Sequence, residues 1–150
     1  MELEAKSLRI GNLVTINNPD CFKGLINIPM IVEGATKSKG IENEDSYSIQ
    51  LKRMTNDEWN PLKHQFIQFI KPIALTEEWL IKTNMSTTKY SFKISIHNEV
   101  FSGTILVEYS RLIGKYSIYI GNIHIRYVSY LHELQNWFYS NTGEELTFKL

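Results

Sequence analysis

The run "YLHELQNWFYSNTGEEL", residues 130–146, is the densest set of groups able to move protons or hold ions. It carries His132, Glu133, Gln135 and Asn136, then Glu144 and Glu145. His132 and Gln135 are three positions apart and could meet on one helix surface. An imidazole beside a carboxamide, with no nucleophile and no metal partner, specifies no reaction. The apolar members of the run have a simpler logic. Tyr127, Leu131, Leu134 and Phe138 recur at intervals of four, three and four, the stripe of an amphipathic helix. That spacing predicts a helix over about 129–141, capped by Ser129 and closed by Gly143, with His132, Glu133, Gln135 and Asn136 on the opposite side, facing water.

Other catalytic patterns are thin. His97 and His124 fall on the polar side of predicted strands, but a zinc site normally takes four ligands, three of them from protein in a catalytic site, and Cys21, the lone cysteine, has no CxxC partner. Asp20 beside Cys21 would raise the thiol pKa rather than activate it. There is no G-x-S-x-G elbow and no phosphate-binding glycine loop. The adjacent carboxylates Glu77-Glu78 suit a helix start, where the dipole favours negative charge, and Glu144-Glu145 in a strand would point to opposite faces. No cofactor or metal is implied, and catalysis by a small enzyme of unspecified reaction ranks last among the functions considered.

A basic and aromatic cluster is the stronger signal. Arg111, Lys115, Tyr116, Arg126 and Tyr127 gather around predicted hairpins, where a sheet face could stack bases and neutralise phosphates. Against this, the 16 basic and 16 acidic residues cancel, so no net field draws the chain to nucleic acid or to an anionic membrane. A binding surface of Arg111, Lys115, Tyr116, Arg126, His132, Gln135 and Asn136 is therefore assigned first to a protein partner or to self-association. Nucleic acid is the alternative.

The elements that must hold these residues are mostly strands. At 150 residues the chain fits one domain, 1–150, able to bury a core without staples. "SLRIGNLVTI" begins the first ordered element, with Ile10, Val14 and Ile16 in a β-favouring setting and Gly11-Asn12 marking a bend or bulge. "LINIPMIV" and "YSIQL" follow, separated by "EGATKSKGIENEDS", which reads as a mobile surface loop. "HQFIQFIKPIAL" is rich in strand formers and predicts one strand. In "LTEEWL", Thr76 is a helix N-cap, with a helix to about Thr83.

The second half alternates more cleanly. Tyr90, Phe92, Ile94 and Ile96 share one side of a strand, Phe101 to Tyr109 repeat the pattern, and "YSIYI" and "IHIRY" flank a tight Gly121-Asn122 turn. This predicts a four-stranded antiparallel meander covered by the helix near 129–141, then a last strand through Leu146, Phe148 and Leu150. The fold class is α+β, mainly antiparallel β: a small SH3-like β unit over 1–74, then helix, meander and C-terminal helix over 75–150, sharing one core.

No apolar run approaches the roughly 20 residues of a membrane span, and the charged opening resembles neither a signal nor a transit peptide. With one cysteine, a cytoplasmic location is expected.

Three blocks carry a resemblance: "LRIGNLV" (8–14), "KPIALTEEWL" (71–80) and "YVSYLHELQNWFYSNTGEEL" (127–146). In this order and at these separations they resemble a group of small proteins encoded by Bacteroidota genomes, prophages and phages. Ala74 departs from the proline-rich version of the middle block, and Glu133 precedes the "LQN" triad. The resemblance implies a mobile-element origin and a common fold. It carries over no catalytic residue, so the expected role is a non-enzymatic binding or adaptor module.

Overall fold

The computed structural model describes residues 3–18, 26–39, 45–54 and 63–149. Asp20, Cys21 and Leu150 lie outside the described residues. The architecture is α+β with two five-stranded antiparallel sheets, one in each of two compact units, Met1–Ile73 and Ala74–Leu150.

In the first unit β1 (Leu13–Ile16), β2 (Met30–Lys39), β3 (Asp45–Arg53), β4 (His64–Phe66) and β5 (Ile70–Pro72) pair in the order β4-β3-β2-β1-β5. A 3-10 turn over Ile67–Phe69 joins the last two, so β5 returns to pair with β1. The core is Leu3, Val14, Ile16, Met30, Val32, Ile49, Leu51 and Ile70. Entry to β1 is a tight turn in which the Asn12 N–H donates to the Arg9 carbonyl at 3.0 Å. Gly11 takes φ 92° there, a conformation open to glycine at little cost. The turn leaves Ile10 65% exposed, whereas Val14 and Ile16 are buried.

Two further expectations are corrected. The segment 33–46 is not a loop throughout, because residues up to Lys39 and from Asp45 form the long arms of a hairpin in register from Gly34↔Gln50 to Lys39↔Asp45. Those arms are exposed on both faces of β2, so no apolar alternation marks them. Backbone pairing and contacts such as Lys37 Nζ over the Tyr47 ring, 5.9 Å from its centroid, hold them together. Likewise the single strand expected in "HQFIQFIKPIAL" is two short strands broken by the 3-10 turn.

In the second unit α1 (Glu77–Ile81) begins as predicted, with Thr76 Oγ1 accepting the Trp79 N–H at 3.4 Å, and Leu80 is buried. Then β6 (Ser86–Thr87), β7 (Ser91–His97), β8 (Ser102–Ser110), β9 (Lys115–Ile120) and β10 (Ile123–Val128) pair in the order β10-β9-β8-β7-β6. The meander therefore has a short fifth strand beyond the four expected. Its core face carries Phe92, Ile96, Ile105, Val107, Ile118 and Val128, all buried.

Helix α2 (Leu131–Thr142) buries Leu131, Leu134 and Phe138, as the spacing requires. Each contributes about 1.5–3 kcal/mol by leaving water. Tyr127 stays in β10. The N-cap is Tyr130 rather than Ser129: one oxygen of Glu133 accepts the backbone N–H groups of both, at 2.8 Å from Ser129 and 3.1 Å from Tyr130. Gly143 closes the helix at φ 74°, its N–H donating to the Tyr139 carbonyl at 2.9 Å. The last segment forms no sheet strand among the described residues. It makes a single bridge, Thr83↔Phe148, while Leu146 is buried.

Candidate docking surface

Strand β10 is the edge of the second sheet, and a bulge organises it. Ile123 pairs with Ile120 and His124 with Tyr119, but the register then slips so that Arg126 faces Ile118 and Tyr127 faces Ser117. The extra residue reverses the alternation. His124 and Tyr127, three apart, therefore share one side of the sheet with Tyr119. His124 sits between the two tyrosines, 5.3 Å from the Tyr119 ring centroid and 4.6 Å from that of Tyr127.

Residues 123–127 are all exposed, Ile123 at 68%, Ile125 at 40% and Tyr127 at 42%. Among the described residues no strand pairs with the outer side of β10. Just past its end, Ala74 bridges to Tyr130, and the Leu75 N–H donates to the Ser129 carbonyl at 2.9 Å, which stops the open edge at Val128. The edge offers backbone groups that no described strand pairs and exposed apolar side chains on both faces, Ile123 on the side of Ile118 and Tyr127 on the side of Tyr119, which an added strand can use.

The predicted surface residues are dispersed. Lys115 and Tyr127 lie on the sheet side that carries Tyr119, whereas Tyr116 and Arg126 register with the side of Ile118. Arg111 is in the turn between β8 and β9. That turn is closed by the Gly114 N–H on the Ser110 carbonyl at 2.7 Å, and it holds Leu112 out at 98% exposure. Asn136 is partly exposed on α2.

His132 and Gln135 do not belong to a surface: each is 2% exposed, which corrects their placement on a water-facing side. Gln135 follows Leu131 by four and precedes Phe138 by three, so helical spacing already placed it within the apolar stripe. Its polar type concealed this. His132 stacks near Tyr130 at 6.0 Å, and its Nδ1 is buried with no hydrogen-bond partner among the described residues. Burial pushes the imidazole below its ordinary pKa, and the Glu133 charge opposes this in part.

The remaining histidines are separate, and His64 lies in β4 of the first unit. His97 is exposed with its Nδ1 2.8 Å from Ser102 Oγ, and His124 belongs to the tyrosine cluster. Among the described residues no three His, Cys, Asp or Glu side chains gather in a way that could hold a metal ion. No helix there is long and apolar enough to cross a membrane. No family model, curated protein or solved structure matches the chain.

Proposed function

We propose that this chain is a non-enzymatic protein-binding module that takes an extended segment of another polypeptide along β10. The observation that carries this reading is the open edge itself, exposed at Ile123, Ile125 and Tyr127 and left unpaired by any described strand. Backbone hydrogen bonds would supply affinity, and the alternating side chains specificity. The bulge and Arg126 keep the edge from indiscriminate pairing, since both are devices that blunt sheet edges. The block resemblance suggests a mobile-element setting and the single cysteine a cytoplasmic one, so that the target is a host factor, a defence component or another phage protein.

The test is comparative capture from host lysate with wild type and an Ile123→Lys/Ile125→Lys double variant. The proteins retained by wild type should be lost from the variant at unchanged thermal stability. Equal capture by both would refute the reading. Light scattering of the purified chain shows whether a second copy can supply the segment.

One observation favours a nucleic-acid reading as the second choice. The Tyr119, His124 and Tyr127 rings and the Lys115 ammonium lie on one sheet face, a combination that can stack bases beside phosphates. Affinity for single-stranded oligonucleotides should then fall as salt rises, and salt-independent affinity would remove this reading.

A further inference from the structure

The second unit also has a cleft of about 170 Å³ where the core face of its sheet reaches the end of β8 and the start of β9. Phe92 and Val107, both buried, contribute its apolar part. Tyr109 and Tyr116 pair across the two strands, their ring centroids 5.2 Å apart and the planes tilted by 59°. Glu77, from the start of α1, also lines the cleft and has no ion pair or hydrogen bond through its side chain among the described residues. Its charge reaches the rings. The Tyr116 phenol is raised above its ordinary pKa by burial first, then by the Glu77 carboxylate and by Tyr109.

The cleft is well below the roughly 300 Å³ at which drug-sized ligands are enclosed. It has room for the end of one side chain or an ion of similar size. Tilted tyrosine rings present electron-rich faces to a positive group, and a carboxylate without a partner supplies the counter-charge. A cation already uses such a face at the rim, where Lys89 Nζ lies 5.1 Å from the Tyr90 ring centroid. We propose that this cleft binds one organic cation, an ammonium or guanidinium group on a short stem, against the paired Tyr109 and Tyr116 rings with Glu77 opposite its charge. Lys89 is then the internal competitor. The proposal is independent of docking along β10.

The test is titration of the full chain, followed by the backbone amide resonances of Tyr109 and Tyr116, with arginine amide, with tetramethylammonium chloride, and with sodium acetate and sodium chloride as controls. The two organic cations should give saturable shifts and the sodium salts none. Glu77→Gln and Tyr109→Ala should each weaken binding by about threefold or more. Lys89→Ala should tighten it. Both variants in the cleft wall alter exposed side chains, so a thermal melt confirms that they fold. Tighter binding of arginine amide than of tetramethylammonium identifies a guanidinium as the preferred cation, and equal or weaker binding an ammonium; either supports the site. Shifts reproduced by sodium chloride, no saturable shift, or unchanged affinity in Glu77→Gln would overturn the proposal.

Discussion

The Asn98 side-chain amide donates to the Thr142 backbone carbonyl at 2.8 Å, tying the turn between β7 and β8 to the last turn of α2. The same side chain organises its own turn. Asn98 Oδ1 accepts the N–H groups of Val100 and Phe101, both at 2.8 Å, and Nδ2 also reaches Glu144 Oε1 at 2.9 Å. Asn98→Ala removes all four bonds and leaves the Thr142 carbonyl short of a donor. Urea denaturation should show a loss of about 2 kcal/mol, more than one net hydrogen bond. Asn98→Asp keeps the acceptor but turns a second oxygen toward Glu144 and the Thr142 carbonyl, so at neutral pH it should lose at least as much as Asn98→Ala.

Helix α2 opens on the Glu133 carboxylate, which satisfies two backbone donors that would otherwise lack partners. Glu133→Ala should cost about 1 kcal/mol in denaturant titration, and Glu133→Gln less, because its carboxamide oxygen still accepts. A loss within error for Glu133→Ala would show that Tyr130 and Ser129 find other acceptors.

The closing glycine makes a separable prediction. A Cβ at Gly143 would lie 3.3 Å from Val100 Cγ2, on a backbone at φ 74°. Gly143→Ala should therefore destabilise by about 1–2 kcal/mol from the left-handed conformation, plus a steric part. In a double-mutant cycle Val100→Ala should recover the steric part only.

His132 links stability to pH. Its imidazole is held below the ordinary value of about 6.5 by burial, so the folded chain resists a proton that the unfolded chain accepts. Its contribution is complete above about pH 6.5 and declines as pH falls toward the lowered folded value. The unfolding free energy of wild type minus that of His132→Gln, measured from neutral to mildly acidic pH, should decrease across that window. A difference that stays flat would mean the imidazole charges as readily in the folded chain as in the unfolded one.

Much of this fold is legible in residue spacing. The intervals among Leu131, Leu134 and Phe138 mark the buried side of α2, Thr76 marks the start of α1, and Gly121-Asn122 places the β9–β10 turn, where Gly121 takes φ 59°. The sequence conceals whatever departs from strict period or ordinary polarity. Nothing in "IHIRYV" announces the bulge that brings His124 and Tyr127 to one face, so strict alternation separates two side chains that are in contact. Residues 35–39 look like a loop because both sides of that part of β2 meet water. His132 and Gln135 look like surface residues because hydrophobicity, rather than position on the helix, guides the reading of polar side chains.

Docking along β10, as proposed, places a partner segment against the exposed Ile125. A photo-crosslinking residue placed at Ile125 in the full chain, expressed in the host, reads it directly, with the same residue at His97 on β7 as the control. Discrete protein adducts from position 125, and few from position 97, are the predicted result. Adducts from position 97 with none from position 125 would contradict the account.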